Sequence, residues 1–178
     1  MDNTSQAIRR TLAVLVVASL SAVACSSPST TSSSPPPAPV LHSDPVGQWR
    51  AEFPSAPLRE EEKMTASGLD LLIISYTTET AAESVVVGYI DYPKGVLQSK
   101  ALDGAAEGSA NSVKGTIQTK TATSFMGHPA MDVVIKSADA MMYERMVLRG
   151  TRLYTLIGVG ATSRPASYDR LLETFFLI

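Results

Sequence analysis

Nothing narrows the fold of this chain more than the alternation of its side chains. Trp49, Ala51 and Phe53 alternate with Gln48, Arg50 and Glu52, the period-2 pattern of a half-buried strand. Leu69 to Thr78 and Val85 to Tyr92 continue the theme, rich in Ile, Val and Tyr and stopped by Ser67-Gly68 and Pro93-Lys94-Gly95. Arg59 to Ala66 is too charged for a sheet interior and suits an edge strand. Thr116 to Thr123, Ala130 to Ser137, Met141 to Arg149 and Arg152 to Gly160 complete the set.

The period changes twice. Between Val96 and Val113, Leu97, Ala101 and Ala105, then Leu102, Ala106, Ala110 and Val113, recur three or four apart, which predicts an amphipathic helix. Gly104 and Gly108 make a G-x-x-x-G there, but Lys100, Asp103 and Glu107 exclude a membrane helix, leaving close apposition to a sheet or a weak helix. Near the end, Ser163 is placed to cap a second helix with Pro165 in its first turn and Tyr168, Leu171, Leu172 and Phe175 as its buried stripe. Strands joined by tight turns form an antiparallel sheet, and two helices must cover it. The expected class is α+β, a twisted antiparallel sheet of about six or seven strands with two helices packed on it.

The chain before this pattern has a different character. Arg9-Arg10 precedes an uncharged, mostly apolar run from Thr11 to Ala24, which ends at Cys25, the single cysteine of the 178 residues. A positive start, a short apolar stretch and a small-residue cleavage site define a secretory signal peptide, and the run is shorter than the ~20 residues a bilayer span needs. Cys25 occupies the position of the lipidated residue of a bacterial lipoprotein, with cleavage between Ala24 and Cys25. Ala22-Val23-Ala24 also satisfies ordinary signal peptidase at the same bond. A lone thiol in an oxidising compartment has no disulfide partner and is open to oxidation; thioether lipidation removes that liability and accounts for its position. Arg9-Arg10 alone matches the twin-arginine export signal poorly.

Residues 1–24 are therefore read as the signal peptide. Residues 25–46 are read as the lipidated cysteine plus a disordered Ser/Thr/Pro-rich tether, with His42 a solvated part of it, and 47–178 as one α+β domain. The tether has too little apolar surface to offset the entropy of ordering, and at ~3 Å per residue it would reach on the order of 60 Å. Without the leader, 13 Lys and Arg face 16 Asp and Glu, a net charge of −3. That balance provides no footprint for nucleic acid or for an anionic membrane surface, so the lipid must do the anchoring.

Catalytic signatures are sparse. His128, in Met126-Gly127-His128-Pro129, has no metal-ligand partner at short spacing. No G-x-S-x-G elbow is present. Gly158-Val159-Gly160 before Ser163 imitates a dinucleotide loop but lacks its third glycine and a following strand. Glu60, Glu61 and Glu62 alternate faces on a strand and cannot converge on a cation. No cofactor, metal or enzymatic activity is expected.

Arg149-Gly150-Thr151-Arg152-Leu153-Tyr154-Thr155-Leu156, followed by a helix with Tyr168 and Leu171-Leu172 and by Phe175-Phe176, resembles the closing segment of PsbP/Mog-like domains. Phe53-Pro54-Ser55-Ala56-Pro57 resembles the opening of their bacterial members. With the lipobox and tether, the whole is similar to an actinobacterial lipoprotein of the LpqN type. The resemblance implies a non-catalytic domain that acts by binding another envelope or extracellular protein. It implies lipid anchoring through Cys25 on the outer face of the cytoplasmic membrane. A carrier of an apolar ligand or envelope lipid is the alternative, and would need a large apolar cavity.

One surface suggests itself for a partner. Gly150-Thr151 fits a two-residue II′ turn, which pairs Arg149 with Arg152, Leu148 with Leu153 and Val147 with Tyr154. One face then carries Met142, Met146, Leu148, Leu153, Ile157 and Val159, as a core would. The other carries Tyr143, Arg145, Val147, Arg149, Arg152, Tyr154 and Leu156. Directly opposed arginines repel, and Tyr and Arg are enriched in interface hot spots. Tyr143, Arg145, Arg149, Arg152 and Tyr154 are thus the expected partner-binding residues, unless a helix covers that face with the arginine stems packed against it.

Overall fold

The computed structural model describes residues 38–66, 69–95 and 101–178. The leader, Cys25, the cleavage bond, most of the tether and the Ser67-Gly68 turn lie outside them. Ten strands and two helices follow in order among the described residues: β1 (Val40–Asp44), β2 (Trp49–Phe53), β3 (Leu58–Ala66), β4 (Leu69–Glu79), β5 (Glu83–Asp91), α1 (Ala101–Ser112), β6 (Thr116–Phe125), β7 (His128–Lys136), β8 (Met141–Arg149), β9 (Arg152–Gly160), α2 (Ala166–Thr174) and β10 (Phe176–Leu177).

Seven strands form one antiparallel sheet in the order β3-β4-β5-β9-β8-β7-β6. Its connectivity is economical. β3 to β5 run as a meander from one edge to the middle, and α1 carries the chain across to the far edge. β6 to β9 then return by hairpins until β9 closes on β5. Turn chemistry fixes the registers. Gly150 has φ +62° as the first turn residue between β8 and β9, and Arg149 pairs with Arg152 as the II′ turn requires. Met126 (φ +50°) and Gly127 (φ +78°) make a further two-residue turn, between β6 and β7.

Both faces of the middle of this sheet are covered, so its central strands β5 and β9 are buried in runs and do not simply alternate. α1 lies over β6 and β7. Its alanines Ala105, Ala106 and Ala110 meet Met131, Val133, Ile135, Met142, Met146, Leu153 and Ile157. On the other face, α2 and a small antiparallel sheet, β1-β2-β10, close over Ile74, Tyr76, Val85, Val87, Tyr89, Tyr154 and Leu156. Trp49 and Phe175 stack there with centroids 5.9 Å apart, both fully enclosed.

Three sequence expectations change. The folded unit does not begin at Gly47, because β1 pairs with all of β2 from Val40↔Phe53 to Asp44↔Trp49. His42 is no solvated linker residue either; its half-buried ring lies 4.7 Å from that of Tyr76 and 5.6 Å from Trp49. A Ser/Pro-rich neighbourhood masks the local alternation of this five-residue strand. Ser163 does not cap α2. Pro165 is the N-cap, extended at φ −66°, ψ 137°, with no side-chain cap, and its carbonyl accepts from the Tyr168 and Asp169 amides. Ser163 thus stands two residues outside the cap.

Candidate functional site

The turn between β8 and β9 brings Arg149 and Arg152 face to face, yet each finds its own acceptors. Arg152 grips Asp91 with two hydrogen bonds of 2.6 Å, from Nε and Nη2, and donates a third of 2.7 Å to the Val46 carbonyl. Its guanidinium also lies 4.7 Å above the Tyr89 ring. These bonds to Asp91, opposed in part by burial, hold the guanidinium ionised above its ordinary range. Arg149 turns the other way and donates to the Ile178 carbonyl at 2.9 Å.

Beside them the β1–β2 corner is pinned from below. Tyr154, completely buried, donates its hydroxyl to the Gly47 carbonyl at 2.8 Å. Asp44 accepts from the Val46 amide at 2.9 Å and from the Tyr76 hydroxyl at 2.8 Å, and Arg59 donates to Tyr76 in turn at 3.1 Å. Burial disfavours the Asp44 charge, but hydrogen bonds from the Gly47 backbone, from Tyr76 and from the Val46 amide prevail and hold it below the usual carboxylate range. Tyr89 is pushed up, first by burial and then by the Asp44 charge. Gly47 is obligatory in this corner: a Cβ there would come within 2.6 Å of the Trp49 indole nitrogen and 2.7 Å of the Asp44 carboxylate.

The five residues expected to meet a partner therefore do not form one patch. Arg149, Arg152 and Tyr154 gather at the turn end, but Tyr154 is inaccessible and Arg152 is committed to the corner. Arg145 makes a bidentate pair with Asp132 at 2.7 Å, and Tyr143 packs near Tyr168 under Arg164. Tyr143 stands six positions, roughly 20 Å of strand, from Arg149.

Exposed apolar surface collects nearby. Of eight large apolar side chains left exposed among the described residues, five belong to the small sheet and its corner: Val40, Leu41, Val46 (73%), Phe176 (44%) and Ile178 (56%). Leu41 and Phe176 share the outward face, because their neighbours His42 and Leu177 turn inward. On β2, Glu52 stands opposite Leu41 and Arg50 opposite Phe176, the Arg50 guanidinium 5.1 Å above the Phe176 ring, and Arg149 stands at the rim beside Ile178.

On the opposite face of the large sheet, Glu144 is wholly buried between Met142 and Met146, with Val133 and Ile157 as cross-strand neighbours. Neither carboxyl oxygen reaches a hydrogen-bond partner, nor does the Ser109 hydroxyl of α1 that faces it. Burial pushes the Glu144 carboxyl up to about 8. A carboxyl that is neutral near pH 7 is the stable form in such a setting. Sequence reading passes over Glu144, although its position between two core methionines at period 2 is visible there.

No group of three or more His, Cys, Asp or Glu positioned for a metal occurs among the described residues, and His128 sits half-exposed at the β6–β7 turn. An open, shallow cleft of about 300 Å³ lies where β9 leaves the sheet, lined by Glu83, Thr162, Ser163, Arg164 and Pro165 among others.

No family model and no curated protein matches the sequence. Among solved structures, the cyanobacterial PsbP protein CyanoP from Synechocystis sp. PCC 6803 superposes with a TM-score of 0.58 at 10% identity, over 85% of this chain and 98% of that one. The chain thus has a PsbP-like fold. A Pseudomonas aeruginosa protein of unknown function, PA94, aligns over 70% of this chain and 83% of its own at 15% identity, with a TM-score of 0.39, too low to bear on the fold.

Proposed function

We propose that the chain is a bacterial envelope lipoprotein of the LpqN type, held on the outer face of the cytoplasmic membrane through lipidated Cys25. In this reading it is a non-catalytic accessory module that binds another envelope protein. The observation that carries the binding role is the outer face of the small sheet. Exposed apolar groups gathered on one part of a small domain mark interaction sites; the small sheet and its corner expose Leu41, Val46, Phe176 and Ile178, and Arg50, a residue type enriched in hot spots, lies over Phe176. The anchoring role is supported by the order of the leader and by the single cysteine. Because β1 starts at Val40, the tether has fewer residues than composition implies.

The test has two independent readouts. Metabolic labelling with a fatty acid should mark the chain and vanish in Cys25→Ser; label that persists removes the anchor. Crosslinking in the native envelope should trap a partner, and Leu41→Asp with Phe176→Ser should abolish that product without changing the thermal midpoint, since both side chains are exposed. A crosslinked product that survives both substitutions moves the contact elsewhere.

A further inference from the structure

The seven-stranded sheet ends in two open edges, and the sequence guards only one of them. β3 carries five consecutive charges, Arg59, Glu60, Glu61, Glu62 and Lys63, the usual device against strand addition. β6 is ten residues long, eight of them exposed, and bears a single charge. That charge, Lys120, is held 2.6 Å from Asp103 of α1. The remaining positions are four threonines, Gln118, Ala122, Ser124, Ile117 and Phe125, a composition of high strand propensity without proline.

The backbone of β6 is also presented regularly. Met126 and Gly127, both at positive φ, form a type I′ turn, so Phe125 and His128 are the pair that exchanges hydrogen bonds across the hairpin. By alternation, Thr123, Thr121 and Thr119 direct their amides and carbonyls toward β7, while Ser124, Ala122 and Lys120 direct theirs outward. The irregularity between Ile117 and Thr119 lies beyond this stretch.

We propose that β6 is a self-association edge, pairing antiparallel with β6 of a second copy about a two-fold axis at Thr121. The charges select this occupant. In that register Lys120 faces Ala122 of the second copy, Thr119 faces Thr123, and Thr121 meets itself. Thr–Thr pairs across strands are favourable, and no like charges are opposed. The same operation on β3 about Glu61 sets Glu60 against Glu62 and Glu61 against itself, which repels. One strand pair buries less than a standard interface, so the dimer is transient in solution and is read by trapping it.

The experiment uses the full chain carrying Cys25→Ser and one introduced cysteine. Thr121→Cys places two thiols at a non-hydrogen-bonded pair, within disulfide reach. Under mild oxidation it should form covalent dimers about tenfold faster than Thr65→Cys on the β3 edge, the ratio that ~1.4 kcal/mol of preference gives. Thr119→Cys mixed with Thr123→Cys should yield the mixed dimer over either self-dimer. Adding Ala122→Pro removes one outward amide and should slow Thr121→Cys crosslinking, with circular dichroism unchanged because an edge tolerates proline. Equal rates at Thr121 and Thr65, or indifference to Ala122→Pro, overturn the proposal. So does trapping of a different chain at Thr121→Cys without self-dimer, which would assign the edge to a foreign strand.

Discussion

Arg149 and Arg152 stand directly opposite each other across a tight turn, and their guanidiniums part to clamp separate pieces of the chain. Arg152 ties Asp91 to the Val46 carbonyl, whereas Arg149 reaches the Ile178 carbonyl. Their juxtaposition is therefore explained by folding, and needs no partner. Arg152 makes the more numerous contacts, its side chain 17% exposed. Arg152→Ala removes the two bonds to Asp91, the bond to the Val46 carbonyl and the contact with the Tyr89 ring, and frees the β1–β2 corner; the expected cost is about 2 kcal/mol, a fall of roughly 6 °C in Tm. Arg149→Ala should stay within about 0.5 kcal/mol. Thermal melts of the two variants check the order, and equal effects would refute it.

How much of this is legible in the sequence depends on distance along the chain. The Arg149–Arg152 register follows from Gly150 alone, and the strands of the large sheet follow from their β-branched and aromatic runs bounded by turn residues. The acceptors do not: Val46 lies 106 residues from Arg152 and Asp91 lies 61, and only the closure of β9 on β5 brings them together. Alternation alone assigns Tyr154 to an outer surface, because nothing local announces that the small sheet covers that face. β1 escapes a sequence reading because Val40 to Asp44 adjoins a proline-rich run and is too short to signal by itself. The G-x-x-x-G of α1 leaves close apposition and helix weakness open, and Gly104, with nothing within 4 Å of a Cβ, is a case of the second.

The β1 ribbon should be thermodynamically part of the domain. A chain starting at Gly47 loses His42 from the ring of Tyr76 and Asp44 from its hydroxyl, and uncovers one side of Trp49. Compared with a chain starting at Ala38, its Tm should be lower by about 5 °C or more, as loss of the Asp44–Tyr76 hydrogen bond together with the ring contacts of His42, ~2 kcal/mol in all, implies. Fluorescence of the single tryptophan should shift to the red. Identical melts would return β1 to the tether.

Asp44 also sets an acid limb. Its folded pKa lies below the usual carboxylate value, so its stabilisation is present above the unfolded pKa of about 3.9. It is lost as pH falls through the depressed folded value. Asp44→Asn should be less stable than the parent near neutrality and should lose less on acidification below about pH 4. Urea midpoints across that range decide; parallel acid slopes would mean that Asp44 ionises alike in both states.

Glu144 acts with the opposite sign. Its pKa rises from an ordinary 4.5 to about 8 on folding, so the folded state holds a proton that the unfolded chain releases in that window. Stability is full below about pH 4.5, declines as pH rises, by up to ~1.4 kcal/mol per unit, and levels off above about pH 8. Glu144→Gln should flatten this decline, and Glu144→Met, matching its neighbours on β8, should raise the denaturation midpoint at pH 8. A parent chain with the same midpoint at pH 5 and pH 8 would show that water or α1 movement relieves the buried charge.

Two glycines give opposite results for one added methyl group. Gly158 of β9 lies beneath α2, and a Cβ there would come within 2.5 Å of Tyr168 Cγ, with the Tyr168 Cβ closer still. Tyr168 is enclosed and cannot swing away: it sits in the main aromatic core, with Arg164 4.9 Å above its ring. Gly158→Ala must push α2 off the sheet or twist Tyr168 from its rotamer, at a cost of about 1–3 kcal/mol. Gly104 of α1 meets nothing and has no unusual φ, so Gly104→Ala removes backbone freedom from the unfolded chain and favours the helix, a gain of about 0.4–1 kcal/mol. The pair is read from urea midpoints at constant slope. A destabilising Gly104→Ala would mean that the helix is closer to its neighbours than the geometry shows, while a neutral Gly158→Ala would mean that α2 is seated loosely enough to yield.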